Sequence, residues 1–172
     1  MKNQQQNVVV RRADLQDADH LTCILTESWS RAFAEILTVE TLKKHTDYNT
    51  CLRLLTNVLE SGKGSFLISA LEYKPCGLLF WCPGEELPES AEIVAVHSLP
   101  FSWGSGVGRA MMEQAMEEIT QGGFSSAYLW VFEQNSRARR FYEKCGFAVD
   151  GEKRISMYDN APEVRYIKRD FQ

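Results

Sequence analysis

Gly104, Gly106 and Gly108 place three glycines within five residues, in the run Trp103-Gly104-Ser105-Gly106-Val107-Gly108-Arg109. The run follows a Val- and Ile-rich segment, Ala91 to Ser98, and precedes an amphipathic one. Glycine at a strand-to-helix turn permits positive φ and close backbone approach. The unpaired N–H groups of the following first helical turn, reinforced by the helix dipole, then form an anion site suited to a diphosphate. Three readings compete. A dinucleotide loop wants Gly-x-Gly-x-x-Gly near the start of a parallel sheet, whereas here the spacing is Gly-x-Gly-x-Gly past mid-chain. A nucleotide P-loop needs Gly-Lys-Ser/Thr, which the run lacks. A bare tight turn needs no ligand at all.

Other chemistry-bearing side chains are sparse. The five cysteines (23, 51, 76, 82 and 145) form no Cys-x-x-Cys pair, and His20, His45 and His97 are scattered. That pattern argues for free thiols in a reducing cytoplasm and against a disulfide framework or a metal site. The formal net charge of -4 argues against nucleic acid as a partner. No run approaches the ~18 apolar residues of a membrane span, and the polar stretch at residues 1–6 has no signal-peptide core.

The elements that must position this turn follow from periodicity. The 172 residues suit a single domain. Val8 to Arg11 is a β-branched strand, and Asp14, with Asp17 three residues on, caps a helix running to about Phe33. Short helices are expected at Thr38–His45 and Asn49–Leu59, the latter ended by Gly62. Strands follow at Ser65–Leu71, Gly77–Cys82 and Ala91–Ser98, the first two a hairpin joined through Glu72 to Pro75. Val107, Ala110, Met111, Ala115 and Ile119 share one face of a helix over Gly104–Gln121. A strand at Ser126–Phe132 leads to a helix at Asn135–Cys145, with Asn135 as cap and Gly146 just past its end. Strands at Phe147–Val149 and Val164–Arg169 close the sheet. The order predicts an α/β (α+β) domain in which helices flank a mixed, largely antiparallel sheet of six or seven strands.

Two segments in this order resemble the signature of the GNAT superfamily of N-acetyltransferases. One is the glycine turn, against Gln/Arg-x-x-Gly-x-Gly/Ala. The other is Asn135 through Ala138, Phe141 and Tyr142 to Gly146-Phe147, against Asn-x-x-Ala-x-x-Phe-Tyr-x-x-x-Gly-Phe. The resemblance covers about residues 60–150. It departs at Trp103, where the family carries Gln or Arg, which leaves the Trp103 side chain a packing role.

The resemblance implies the GNAT fold, acetyl-CoA as co-substrate without a metal, and a small-molecule or peptide amine as acceptor. A homodimer is compatible with it. It implies that the backbone of Val96, His97 and Ser98 binds the pantetheine arm, and that the turn of Trp103, Gly104, Ser105, Gly106, Val107 and Gly108 holds the pyrophosphate. Arg109, Asn135, Arg137, Arg139 and Lys144 are further candidates for the cofactor's phosphates. Tyr142 is the expected acid for the departing sulfur, since a phenol stays protonated at neutral pH. Glu92 matches a glutamate that serves some members as base, with His97 the alternative. A covalent route through Cys145 is disfavoured, because a helix C-terminus raises a thiol pKa. Trp29, Phe33, Ile36 and Leu37 are expected to wall the acceptor, and the acidic turn carrying Glu85, Glu86 and Glu89 to attract a cation. The alternative is a GNAT-fold module that binds acyl-CoA as a sensor and performs no chemistry.

Overall fold

The computed structural model describes residues 7–169, so the polar tail at 1–6 lies outside the described residues. The chain opens with strand β1 (Val8–Arg12) and helices α1 (Ala18–Ala32), α2 (Val39–His45) and α3 (Tyr48–Ser61). Strands β2 (Ser65–Leu71), β3 (Lys74–Pro83) and β4 (Ser90–Ser98) follow, then helix α4 (Val107–Gln121) and strand β5 (Ser126–Phe132). Helix α5 (Ser136–Lys144) and strands β6 (Ala148–Ile155) and β7 (Pro162–Arg169) complete it. The strands form one seven-stranded sheet in the order β1-β2-β3-β4-β5-β7-β6. Every neighbouring pair is antiparallel except β4–β5.

Helices cover both faces of the sheet, which is why the central strands read as continuous apolar runs. Successive side chains of a strand point to opposite faces. On one face Leu67, Leu79 and Leu129 pack with Val107, Met111, Ala115 and Ile119 of α4. On the other, Phe66, Ile68 and Leu78 pack with Leu21 and Ile24 of α1 and Leu55 of α3. Burying a side chain such as Ile119, which is fully enclosed, contributes about 1.5–3 kcal/mol. A polar tie crosses the first core. The Glu118 carboxylate of α4 accepts from Arg12 Nε at 2.7 Å, Ser65 Oγ at 2.8 Å and Trp81 Nε1 at 3.1 Å. Burial pushes this carboxyl up, but those hydrogen bonds outweigh it and hold its pKa below the usual value.

Expected and observed elements differ in four places, each for a local reason. Asp14 does cap with Asp17 in a reciprocal box, but the capped turn is a 3-10 turn at Leu15–Asp17 before α1. The β2–β3 hairpin turns through only Glu72 and Tyr73, at φ +48° and +66°, so β3 begins earlier than expected, at Lys74. Helix α4 starts at Val107 rather than Gly104, because Gly104 and Gly106 stand at φ +79° and +90° and cannot be helical. Strand β6 runs to Ile155, well past Val149. It is an edge strand exposed on both sides, so it carries no apolar alternation to betray it, and a register shift between Val149 and Lys153 breaks its pairing.

The irregularity that matters most is in the middle of the sheet. Phe80 pairs with Ala95 and Trp81 with Ile93, so Val94 is an extra residue bulged from β4. Among the described residues, β4 and β5 pair only at Ser90–Ser126, Ala91–Ala127 and Glu92–Tyr128. Beyond that point the two strands part.

Candidate active site

A groove of about 1620 Å³ opens where β4 and β5 separate. It extends from the start of α4 to the end of α1 and the β6–β7 connection. Glu92, Val96, His97, Ser98, Asn135 and Tyr142 all line it, as do Arg137 and Lys144. Of the glycine turn, Trp103, Gly104 and Gly106 to Arg109 line it as well. Ser105 does not. Its hydroxyl and its N–H both turn back to the Ser102 carbonyl, bracing the turn.

The start of α4 is an uncapped helix terminus. Gly106 has no side chain to offer the first-turn N–H groups, and the first intrahelical bond is Ala110 N–H to the Gly106 carbonyl at 2.9 Å. The N–H groups of Val107, Gly108 and Arg109 therefore have no partner within the helix. Gly108 is needed for another reason: a Cβ there would sit 3.2 Å from the Phe141 ring, so its absence lets α5 approach. A Cβ on Gly106 would meet nothing within 4 Å. The cost of Gly106→Ala thus comes from the backbone alone, about 1–2 kcal/mol for an L-residue in the left-handed region. Urea denaturation should show a lowered midpoint with an unchanged slope. An unchanged midpoint would mean that the turn relaxes to a negative φ.

Trp103, expected only to pack, does more. Its indole N–H donates to the Ser98 carbonyl at 3.0 Å, joining the end of β4 to the turn. The guanidinium carbon of Arg137 lies 3.4 Å from its ring centroid. This stacking holds a cation of α5 over the turn. Arg137 has no carboxylate partner among the described residues, so its charge is available there. Arg109, by contrast, is paired with Glu113 at 2.8 Å and mostly exposed. Arg139 lies off the groove, donating to the Tyr166 hydroxyl at 3.1 Å and the Glu133 carbonyl at 3.0 Å. Asn135 caps α5, its Oδ1 accepting from Ala138 N–H at 3.1 Å.

Tyr142 belongs both to the core and to the groove. Its ring is only 8% exposed and packs near Phe141, Phe147 and Tyr166. Burial pushes its phenol above the ordinary value, so it remains a proton donor at neutral pH. Glu92 is half-buried and accepts from the Tyr128 hydroxyl at 3.2 Å. Burial raises its carboxyl pKa, more than that hydrogen bond and the nearby Arg154 lower it. His97 stands edge-on to Phe33 at 6.2 Å, and burial pushes its imidazole down to about 4, leaving it neutral at pH 7. Cys145 does not line the groove, and burial is the main reason that its thiol is raised.

The acceptor side departs from expectation in two respects. Leu37 is buried in a small cluster with Phe132 and Ala161 rather than lining the groove. Glu86 is not free for a ligand: it accepts from Trp130 Nε1 at 3.1 Å, Arg154 at 3.4 Å and Arg165 at 3.3 Å. Trp29, Phe33 and Ile36 do line the groove. They are joined by Trp130, Arg154, Tyr158 and Glu163, which no motif marked. Those four sit on β5, β6, β7 and their connection, and only the sheet order brings them beside Glu92. Among the described residues no group of three His, Cys, Asp or Glu side chains is placed to hold a metal ion. No described helix is long and apolar enough to cross a membrane.

Known proteins resemble this chain in sequence and in fold. The chain is 23% identical over 139 residues to an uncharacterized N-acetyltransferase of Mycobacterium bovis, covering 81% of this chain and 88% of the relative. PaiA N-acetyltransferase from Thermoplasma acidophilum, solved in complex with coenzyme A, superposes with a TM-score of 0.76 at 18% identity, over 95% of this chain and 99% of that one. YncA from Salmonella typhimurium, solved with acetyl-CoA, gives a TM-score of 0.73 at 16% identity, over 96% and 95% of the two chains. The model of the acetyltransferase (GNAT) family matches residues 21–147. That span takes in the parted strands, the uncapped helix and Tyr142 together, and on this ground the chain belongs to the acetyltransferase (GNAT) family.

Proposed function

We propose that this protein transfers the acetyl group of acetyl-CoA to a primary amine by direct attack in a ternary complex. The observation that carries this reading is the parting of β4 from β5 beside the uncapped start of α4. The parting leaves β4 from Ile93 to Ser98 without a partner in β5, so an extended arm can add to its free edge through Val96, His97 and Ser98. The first-turn N–H groups of α4 and the unpaired Arg137 suit a diphosphate at the end of that arm. Gly104 and Gly106 let the phosphates approach the backbone. Lys144 and Asn135 border the same stretch of groove.

The acetyl thioester supplies the electrophilic carbonyl carbon and the leaving sulfur. A lysine-type amine arrives protonated, with a reference pKa near 10.4. Glu92, as the carboxylate, takes a proton from it directly or through a water, and the free amine attacks the carbonyl. Backbone N–H groups of the parted β4 segment stabilise the charge that grows on the carbonyl oxygen. The attacking nitrogen then loses its second proton to solvent, and as the carbon–sulfur bond breaks Tyr142 gives its phenolic proton to the sulfur and regains one from solvent.

Purified protein mixed with acetyl-CoA should release free thiol only when an amine is present. Acetyl-CoA binding without release on any amine would instead support a sensor that binds the acyl-CoA and performs no chemistry. No heat of binding with CoA in calorimetry would end both readings.

A further inference from the structure

One end of the groove is built of aromatic rings. Glu92 and Tyr128 are register partners and hydrogen-bond to each other, so they share a face with Trp130 and Phe132 at the next alternate positions of β5. The ladder continues off the sheet. Phe33, at the end of α1, meets Phe132 edge-to-face at 5.1 Å, and Trp29 meets Phe33 at 5.1 Å. Tyr158 meets Trp29 edge-to-face at 5.1 Å, and His45 of α2 lies 4.8 Å from Tyr158. The walls come from segments distant in sequence, and a clasp holds them. The Asp159 carboxylate accepts from the Thr38 N–H and the Thr41 hydroxyl, both at 2.6 Å, pinning the β6–β7 turn to α2.

Charge in this end of the groove is nearly all compensated. Glu163 is held by Arg154 at 2.6 Å, and Arg154 also reaches Glu86 and stacks 4.4 Å from the centroid of Trp130. His97 is neutral at pH 7. Glu92 makes no ion pair among the described residues and is half-buried, while Glu35 and Arg31 are exposed. A bound ammonium would therefore find one half-buried, unpaired carboxylate, and the rest of the ligand would find rings.

We propose that the acceptor is a primary monoamine carried on an aromatic or similarly bulky apolar body, with its ammonium toward Glu92 and its body against Phe33, Trp29 and Tyr158. This inference rests on the acetyl-transfer reading and specifies its substrate class. A polyamine would bury further ammonium groups with no second unpaired carboxylate inside the groove to meet them, Glu35 being exposed at its surface, and an unpaired buried charge is costly. An amino acid would bring a carboxylate to a cage with no free buried cation. An aromatic body gains from burial and from edge-to-face contacts.

The test is a comparison of kcat/KM for phenethylamine, spermidine and phenylalanine with the wild-type protein at saturating acetyl-CoA. Phenethylamine should exceed each of the others by at least about tenfold, the discrimination that one apolar contact region supports. Trp29→Ala should raise KM for phenethylamine by about tenfold and leave KM for acetyl-CoA within about twofold. Preference for spermidine or phenylalanine would overturn the substrate class while leaving acetyl transfer intact. Acetyl-CoA binding with no acetylation of any of the three would overturn the class as well, and a broader amine panel would then decide the transfer reading by itself.

Discussion

Tyr142→Phe is expected to lower kcat by about 10²-fold, in the range for loss of a positioned general acid, with KM for acetyl-CoA changed by no more than about twofold. The substitution removes one oxygen and keeps the ring. That ring is buried against Phe147 and Tyr166 and closes the core between α5 and the sheet. Thermal melting should therefore be close to that of the wild type, which separates loss of chemistry from loss of fold. Burial keeps the wild-type phenol protonated beyond the ordinary tyrosine range, so it can give a proton to a developing thiolate throughout the neutral region. A variant that turns over at the wild-type rate would reduce Tyr142 to a core aromatic.

Glu92→Gln is expected to lower kcat/KM by about 10²-fold at neutral pH and to remove the acid limb of the pH profile. The sign follows from which form is active. A base must be ionised to take the proton from the amine, so the rate climbs as pH rises through its pKa. Burial raises that pKa, so the limb should lie above the ordinary carboxylate value of about 4.3. Glutamine keeps an oxygen to accept from Tyr128, so the local structure should survive. A variant that retains an acid limb near pH 4 would move the role to His97, whose pKa burial pushes down to about 4. An unchanged profile would place the base in neither side chain.

The two substitutions probe opposite ends of one reaction and sit on different elements. Glu92 is at the last paired position of β4, and Tyr142 is on α5. Their effects on a common transition state should not add simply if both protons move in one step. The rings around Tyr142 are Phe141, Phe147 and Tyr166, none of them part of the aromatic end of the groove, so the substrate order expected for the wild type should persist in the residual activity of Tyr142→Phe.

Much of this protein was legible from its residues because the signals were local. Apolar runs located β2, β4 and β5 to within a residue or so. Thr38, Asn135 and Gly62 announced helix ends through hydrogen bonds and backbone angles that depend only on near neighbours. The glycine turn and the stretch from Asn135 to Phe147 likewise carry their meaning in consecutive residues. Edge strand β6 was hidden, since exposure on both faces erases the alternation that marks a strand.

What only the tertiary structure decided is how distant segments meet. The bulge at Val94 and the parting of β4 from β5 follow from strand register, which no single segment encodes. Trp103 shows its stacking with Arg137 only once α5 lies beside the turn. Glu86, read from its acidic neighbours as a lure for cations, is satisfied by Arg154 and Arg165 from strands still to come in the chain. The aromatic cage joins α1, α2, β5 and the β6–β7 turn. Local propensity sets the elements, but the reactive groups are matched through long-range packing, and a linear pattern holds no record of that geometry.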